Sequence, residues 1–150
     1  SSKPYEDFLK IVSSCLKPQG RLYIAIENKL GMKYFSGYHE DHLGRPFVGI
    51  EGYHKSDKVK TFSKSQLEHL ILENGFSNTY FYYPFPDYKL PAVIYSEDVI
   101  DTIELEFPEK SNYDMPVLKS FNMNKAFSSL KGASERHMLA NSFLVEAKKG

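Results

Sequence analysis

Apolar positions recur at helical spacing near the start of the chain. Tyr5, Phe8, Leu9, Val12 and Leu16 form one stripe, predicting an amphipathic helix over 4–16. Pro4 suits the first turn, where an amide hydrogen would have no helical partner, and Glu6 and Asp7 favour the same positive end. Pro18 and Gly20 stop the helix. The run Arg21 to Glu27 reads as a strand apolar on both faces through its middle, as expected of an interior strand covered by helices on both sides, and it is expected either between parallel neighbours or at a newly exposed truncation edge. A second helix is announced by the capping box Ser63-x-x-Gln66, with Phe62 and Leu67 as a hydrophobic staple. Leu67, Leu70 and Ile71 face inward, and Asn74-Gly75 ends the helix. Further strands are expected over 76–83, over 90–95 (at an edge, because of Pro91) and over 142–148. Residues 97–105 and 121–130 read as helical, and 107–116 as turn-rich.

Two long stretches lack strong periodicity. Residues 28–60 are polar and broken by Gly31, Gly37, Gly44, Gly49 and Gly52, with a short helix over 28–34, and are expected to form a substrate loop or lid. Residues 84–138 are expected to be an insertion between the last two strands. The order helix, strand, long loop, helix, strand, excursion, strand implies α/β layering. Segments 76–83 and 141–148 suit an antiparallel pair at a sheet edge, unlike a dinucleotide domain with all strands parallel. The opening helix and strand look like the second half of a βαβ unit, without the glycine-rich turn that serves cofactors in such folds. Residues 1–150 are therefore expected to be a carboxyl-terminal part of an enzyme, carrying substrate-side residues.

Composition changes this picture little. Hydrophobic residues are 41% and charged residues 25%, and nineteen basic residues cancel nineteen acidic ones. Neutral charge argues against nucleic acid or an anionic membrane as partner. No apolar run approaches the ~20 residues of a spanning helix, so membrane insertion is not expected. Cys15 is the only cysteine, ruling out an intrachain disulfide and fitting a cytoplasmic setting; beside the apolar stripe, it reads as a small buried hydrophobe. Eleven Tyr and eleven Phe include a cluster between Tyr80 and Tyr95, open to two readings: a ring-binding pocket or cross-strand packing.

The run Cys15-Leu16-Lys17-Pro18-Gln19-Gly20-Arg21-Leu22-Tyr23-Ile24-Ala25-Ile26-Glu27 resembles the helix end, turn and fifth strand of a class I S-adenosylmethionine-dependent methyltransferase. Gln19 stands where the family's turn has its first glycine. Thr61-Phe62-Ser63 through Asn74-Gly75-Phe76 is similar to the family's last helix and entry to its sixth strand, and Ser142 to Lys148 to its antiparallel seventh. The resemblance covers 4–28, 61–83 and 139–149. Glu27-Asn28-Lys29-Leu30-Gly31 and the segment Tyr83 to Pro91 resemble a narrower group, linked to bacterial glycosyltransferases of surface-polysaccharide biosynthesis. This resemblance implies a partial Rossmann-like methyltransferase sheet with a terminal antiparallel strand. It also implies S-adenosylmethionine as cofactor of the full-length protein, with little or no binding by this fragment. The acceptor is a small molecule or saccharide, and partners are a missing N-terminal half or partner domain, or a second copy in a homo-oligomer.

Ligands in open α/β sheets lie beyond the carboxyl ends of strands. There Glu27 can act as a base, Asn28 can orient an acceptor, and Lys29 can hold a phosphate or carboxylate. His39-Glu40-Asp41-His42 concentrates acid–base groups, and His39 and His42 are candidate proton acceptors. No third ligand is fixed, so no metal is assigned. Arg45 can hold an anionic sugar nucleotide or phosphate. Tyr83, Asp87 and Tyr88 lie in or beside a proline-stiffened stretch fit to wall the acceptor pocket. Against each stands the plainer reading of a cap, a solvated loop or core packing. Two other classes compete with methyl transfer: a non-catalytic binding or assembly module, and a nicotinamide oxidoreductase, the latter disfavoured by the antiparallel last strand and missing glycine fingerprint.

Overall fold

A computed structural model of the protein describes residues 3–108 and 120–150. The fold is mixed α/β with one open sheet. Helix α1 (Pro4–Cys15) leads into β1 (Arg21–Glu27), followed by the short helices α2 (Met32–Phe35) and α3 (Val48–Glu51). Then come α4 (Lys64–Leu72), β2 (Asn78–Phe85), β3 (Val93–Ser96), α5 (Met123–Ser129), α6 (Glu135–Met138) and β4 (Ser142–Lys148). The strands are ordered β1-β4-β2-β3 and every neighbouring pair is antiparallel. Strand β4 thus lies between β1 and β2, which run parallel to each other. The expected antiparallel terminal strand is present.

Register explains where the core sits. Ile24 lies opposite Val145, and Val145 opposite Phe81. Alternation then places Leu22, Ile24, Ile26, Phe143, Val145, Ala147, Phe81 and Tyr83 on one face. They join Leu9, Leu67, Ile71 and Phe127 of the helices in a single core cluster. Phe85 is fully buried and meets the Phe127 ring edge-on, with centroids 5.2 Å apart. Of the two readings of the aromatic cluster, cross-strand packing accounts for Phe81, Tyr83 and Phe85.

The opposite face departs from expectation. Strand β1 is an edge strand, the second of the two expected placements, and Arg21, Tyr23 and Ala25 are open, with Tyr23 55% exposed. Tyr23 donates to Glu146 at 2.6 Å, and Tyr80 and Tyr82 lie on the same outward side. An apolar run in sequence does not reveal which of its faces will be covered. Helix α1 is also rotated from the predicted stripe: Phe8 and Cys15 are exposed, whereas Ser13 is buried. Ser13 donates to the Gly75 carbonyl at 2.8 Å, and Gly75, at φ 104°, leaves no room there for a Cβ. Lys149 closes the end of α1 by donating to the carbonyls of Ser13 and Leu16.

The capping box on α4 forms as read from the sequence. The Gln66 amide donates to Ser63 Oγ, and the Ser63 amide to Gln66 Oε1. Ser63→Ala should cost about 0.5–1 kcal/mol in denaturant unfolding, a cap's worth at an exposed site. Strand β2 begins two residues later than expected, and Phe76 is buried ahead of it. Residues 97–103 form turns instead of the predicted helix, with Arg136 donating to the carbonyls of Asp101 and Ile103. Those carbonyls are spent on a side chain instead of a helical ladder. The predicted turn-rich stretch 107–116 lies largely outside the described residues. Within 84–138, β3 pairs with β2 and extends the sheet, while 28–60 carries α2, α3 and an isolated bridge between His39 and Pro46. Among the described residues no helix is long and apolar enough to cross a membrane.

Candidate functional site

The last residue of β1 carries the most perturbed carboxylate. Glu27 is 3% exposed, and burial pushes its carboxyl up to about 7 against the opposing pull of Lys33. Lys33, itself 7% exposed, lies on α2 with its ammonium 2.8 Å from Glu27 Oε2. Neither Glu27 oxygen has a well-aligned hydrogen bond, so this ion pair is a charge contact. The Lys33 ammonium also lies 5.0 Å from the ring centroid of Tyr34, whose buried phenol is held protonated far above its usual range. Sequence reasoning missed Lys33. Its signal was a lone cation in the otherwise apolar run Met32-Lys33-Tyr34-Phe35, six residues beyond Glu27.

Asn28 serves the fold. It is fully buried, donates to the Met138 and Ala140 carbonyls at 2.8 and 2.7 Å, and accepts from the Leu30 amide. All its polar capacity toward a ligand is taken. Asn141 mirrors it, accepting from the Lys33 amide and donating to the Pro86 carbonyl. The two amides tie the turn after β1 to the entry of β4 and the exit of β2, and so set where α2 brings Lys33.

Glu40 organises the loop above. Its buried carboxylate accepts from the amides of His42 and Leu43 at 2.9 and 2.7 Å, and from the Tyr53 hydroxyl at 3.4 Å. Asp41 forms an ion pair with Lys89. Burial alone would raise the Asp41 carboxyl, but Lys89 and Lys33 outweigh it and hold the group below the usual carboxylate range. Two neighbouring carboxylates thus behave oppositely, Asp41 ionised and Glu27 poised near neutrality.

A cleft of about 350 Å³ opens at this point, lined by Glu27, His42 and Tyr88 together with Tyr5 and the 58–61 strip. Of the residues singled out from sequence, these three come together. The Tyr88 hydroxyl is raised by partial burial and by Glu27. His39 stays outside the lining, half-buried, with Nδ1 unpartnered among the described residues. Asp87 accepts from the Lys89 amide at 2.9 Å. Tyr83 lies wholly in the core, packed on Phe81 and Phe143, and does not line this cleft. Arg45 is exposed, and its carbonyl accepts from the Glu40 amide. Lys29 lines a second cleft, which shares the 58–61 strip with the first.

Among the described residues no group of three or more His, Cys, Asp or Glu is placed to hold a metal ion. The amides after β1 are also committed. Met32 donates to Leu139, Lys33 to Asn141 and Tyr34 to Gly31, while the Gly31 Cα packs against the Asn141 backbone. This turn therefore offers no free backbone cradle for a nucleoside-bearing cofactor. Comparison with protein-family models, curated proteins and solved structures finds no match for the chain.

Proposed function

We propose that this chain forms the acceptor side of an S-adenosylmethionine-dependent methyltransferase acting on a small-molecule or saccharide hydroxyl. The observation that carries the reading is Glu27, a nearly dry carboxylate poised near neutrality in the wall of a cleft beyond the end of β1. A carboxylate in that state can take the proton of an acceptor hydroxyl as its oxygen attacks, and afterwards hold that proton at little cost. His42 and Tyr88 face the same cleft and can orient the acceptor by hydrogen bonds. The placement of β4 between two mutually parallel strands supports the reading further, since a Rossmann-like methyltransferase sheet ends in that arrangement. The residues of this chain do not themselves fit the methyl donor, because the amides after β1 are spent; the donor belongs to the intact protein, and proton removal is this chain's part.

The test is transfer of labelled methyl groups from S-adenosylmethionine by the intact protein, beside calorimetry of the donor with residues 1–150. Transfer by the intact protein with weak or absent donor binding by 1–150 is expected. An intact protein that neither binds the donor nor transfers methyl groups would refute the proposal. A second reading, a non-catalytic assembly module, draws on the open edge of β1 and the exposed Phe8, Ile11 and Tyr23. A stable complex formed through that edge, with no methyl transfer, would favour it.

A further inference from the structure

Two clefts border the 58–61 strip. One holds Glu27, His42 and Tyr88. The other, of about 570 Å³, is lined by Lys29, Lys58 and Lys60, with Tyr5, Tyr53 and His54. Tyr5, Lys58, Val59, Lys60 and Thr61 border both. None of the three lysines has a carboxylate partner among the described residues. The single acidic residue of the lining, Asp57, accepts from the His54 amide at 2.7 Å. The charge of the cleft is therefore clearly positive, in a chain whose total is zero.

The walls are tethered. Tyr53 hydrogen-bonds Thr61 at 2.9 Å and reaches Glu40, which also holds the loop over the neighbouring cleft. Tyr5 packs edge-on against Phe62, with ring centroids 5.3 Å apart, and Lys60 lies over the same Phe62 ring. Lys58 and Lys60 are both exposed, with the half-buried Val59 between them.

We propose that this second cleft binds the phosphate or diphosphate group of a phosphorylated small molecule. Three ammonium groups match an anion of two or three charges better than a single carboxylate, and lysines act on phosphate as point charges needing no fork geometry. As the anchor of a methyl acceptor, the site rests on the reading given above: the anionic end lies among the lysines, and the reacting hydroxyl reaches past the strip to Glu27. As an anion site it stands apart from that reading.

Calorimetric titration with inorganic pyrophosphate at fixed ionic strength tests it. Saturable binding is expected, weakened about tenfold or more in Lys58→Gln/Lys60→Gln and in Lys29→Gln. Lys10→Gln, an exposed lysine of α1 outside the cleft, should bind as the native chain does. Unaltered affinity in the double variant, an equal loss in Lys10→Gln, or acetate binding as tightly as pyrophosphate would each overturn the proposal. Thermal melts of the variants confirm folding, since all these side chains are solvent-facing or half-buried. The two readings fail separately. Pyrophosphate binding without methyl transfer keeps the anion site and removes the methyltransferase reading. Methyl transfer with an unchanged acceptor KM in Lys58→Gln/Lys60→Gln keeps the methyltransferase reading and removes the role of the lysine cleft as the acceptor's anchor.

Discussion

Glu27→Gln in the intact protein is expected to lower turnover roughly 10²–10⁴-fold, the contribution of one general base, while leaving donor affinity unchanged. Glutamine keeps the shape of the side chain and removes its ability to accept a proton. The native pH profile should carry the same signature. With the folded carboxyl at about 7, turnover should be constant above that value and fall about tenfold per unit of pH below it. Glu27→Gln should lose that limb of the profile. A profile with no inflection near 7, or a variant with native turnover, would show that Glu27 takes no proton in the reaction.

Lys33→Met is expected to cost about 3–5 kcal/mol of folding stability at pH 8, since it strips the counter-charge from a buried carboxylate. The loss should depend strongly on pH. Glu27 has a folded value of about 7 against an ordinary value of 4.5, so the folded state holds the extra proton between those limits. Its ionisation therefore erodes stability as pH rises through that window. Without Lys33 the folded value moves higher still, and the window widens upward. At pH 5 Glu27 is protonated in the folded chain, and the cost of removing Lys33 should shrink or reverse. Glu27→Gln/Lys33→Met, which removes both charges, should recover most of the loss at pH 8. Urea unfolding at pH 5 and pH 8 measures all of this. Equal destabilisation of Lys33→Met at both values would mean that packing, not charge, is what Lys33 supplies.

What was legible in the sequence was what local signals encode. The Ser63–Gln66 box, the Pro18 and Gly20 stop after α1 and the alternation in β4 each act within a few residues, and the elements they mark are present. The edge position of β1 depends on strand β4, more than a hundred residues away, and nothing within Arg21–Glu27 announces it. The same limit divides the site residues. Glu27 was found from its place at a strand end, whereas Lys33 meets it only because Asn28 and Asn141 fold the intervening turn back. Tyr83 misled for a related reason: a proline-stiffened aromatic segment looks the same in sequence whether it borders a cleft or fills a core. His42 is held by the local Glu40 contact, while the Asp41–Lys89 pair, between segments 48 residues apart, ties its loop to that of Tyr88.

The position of β4 between β1 and β2 also bears on how the chain is made. During synthesis β1 and β2 emerge long before the strand that joins them, so neither can complete its main-chain pairing until residues 142–148 leave the ribosome. Until then the apolar strand β1 lacks its β4 partner, a form prone to mispairing with other chains. The sheet should consequently assemble late and in one step, with a rate set by that distant closure. A ribosome stalled after residue 138 should hold a nascent chain that is sensitive to protease across β1. One stalled well beyond Gly150 should hold that same strand protected.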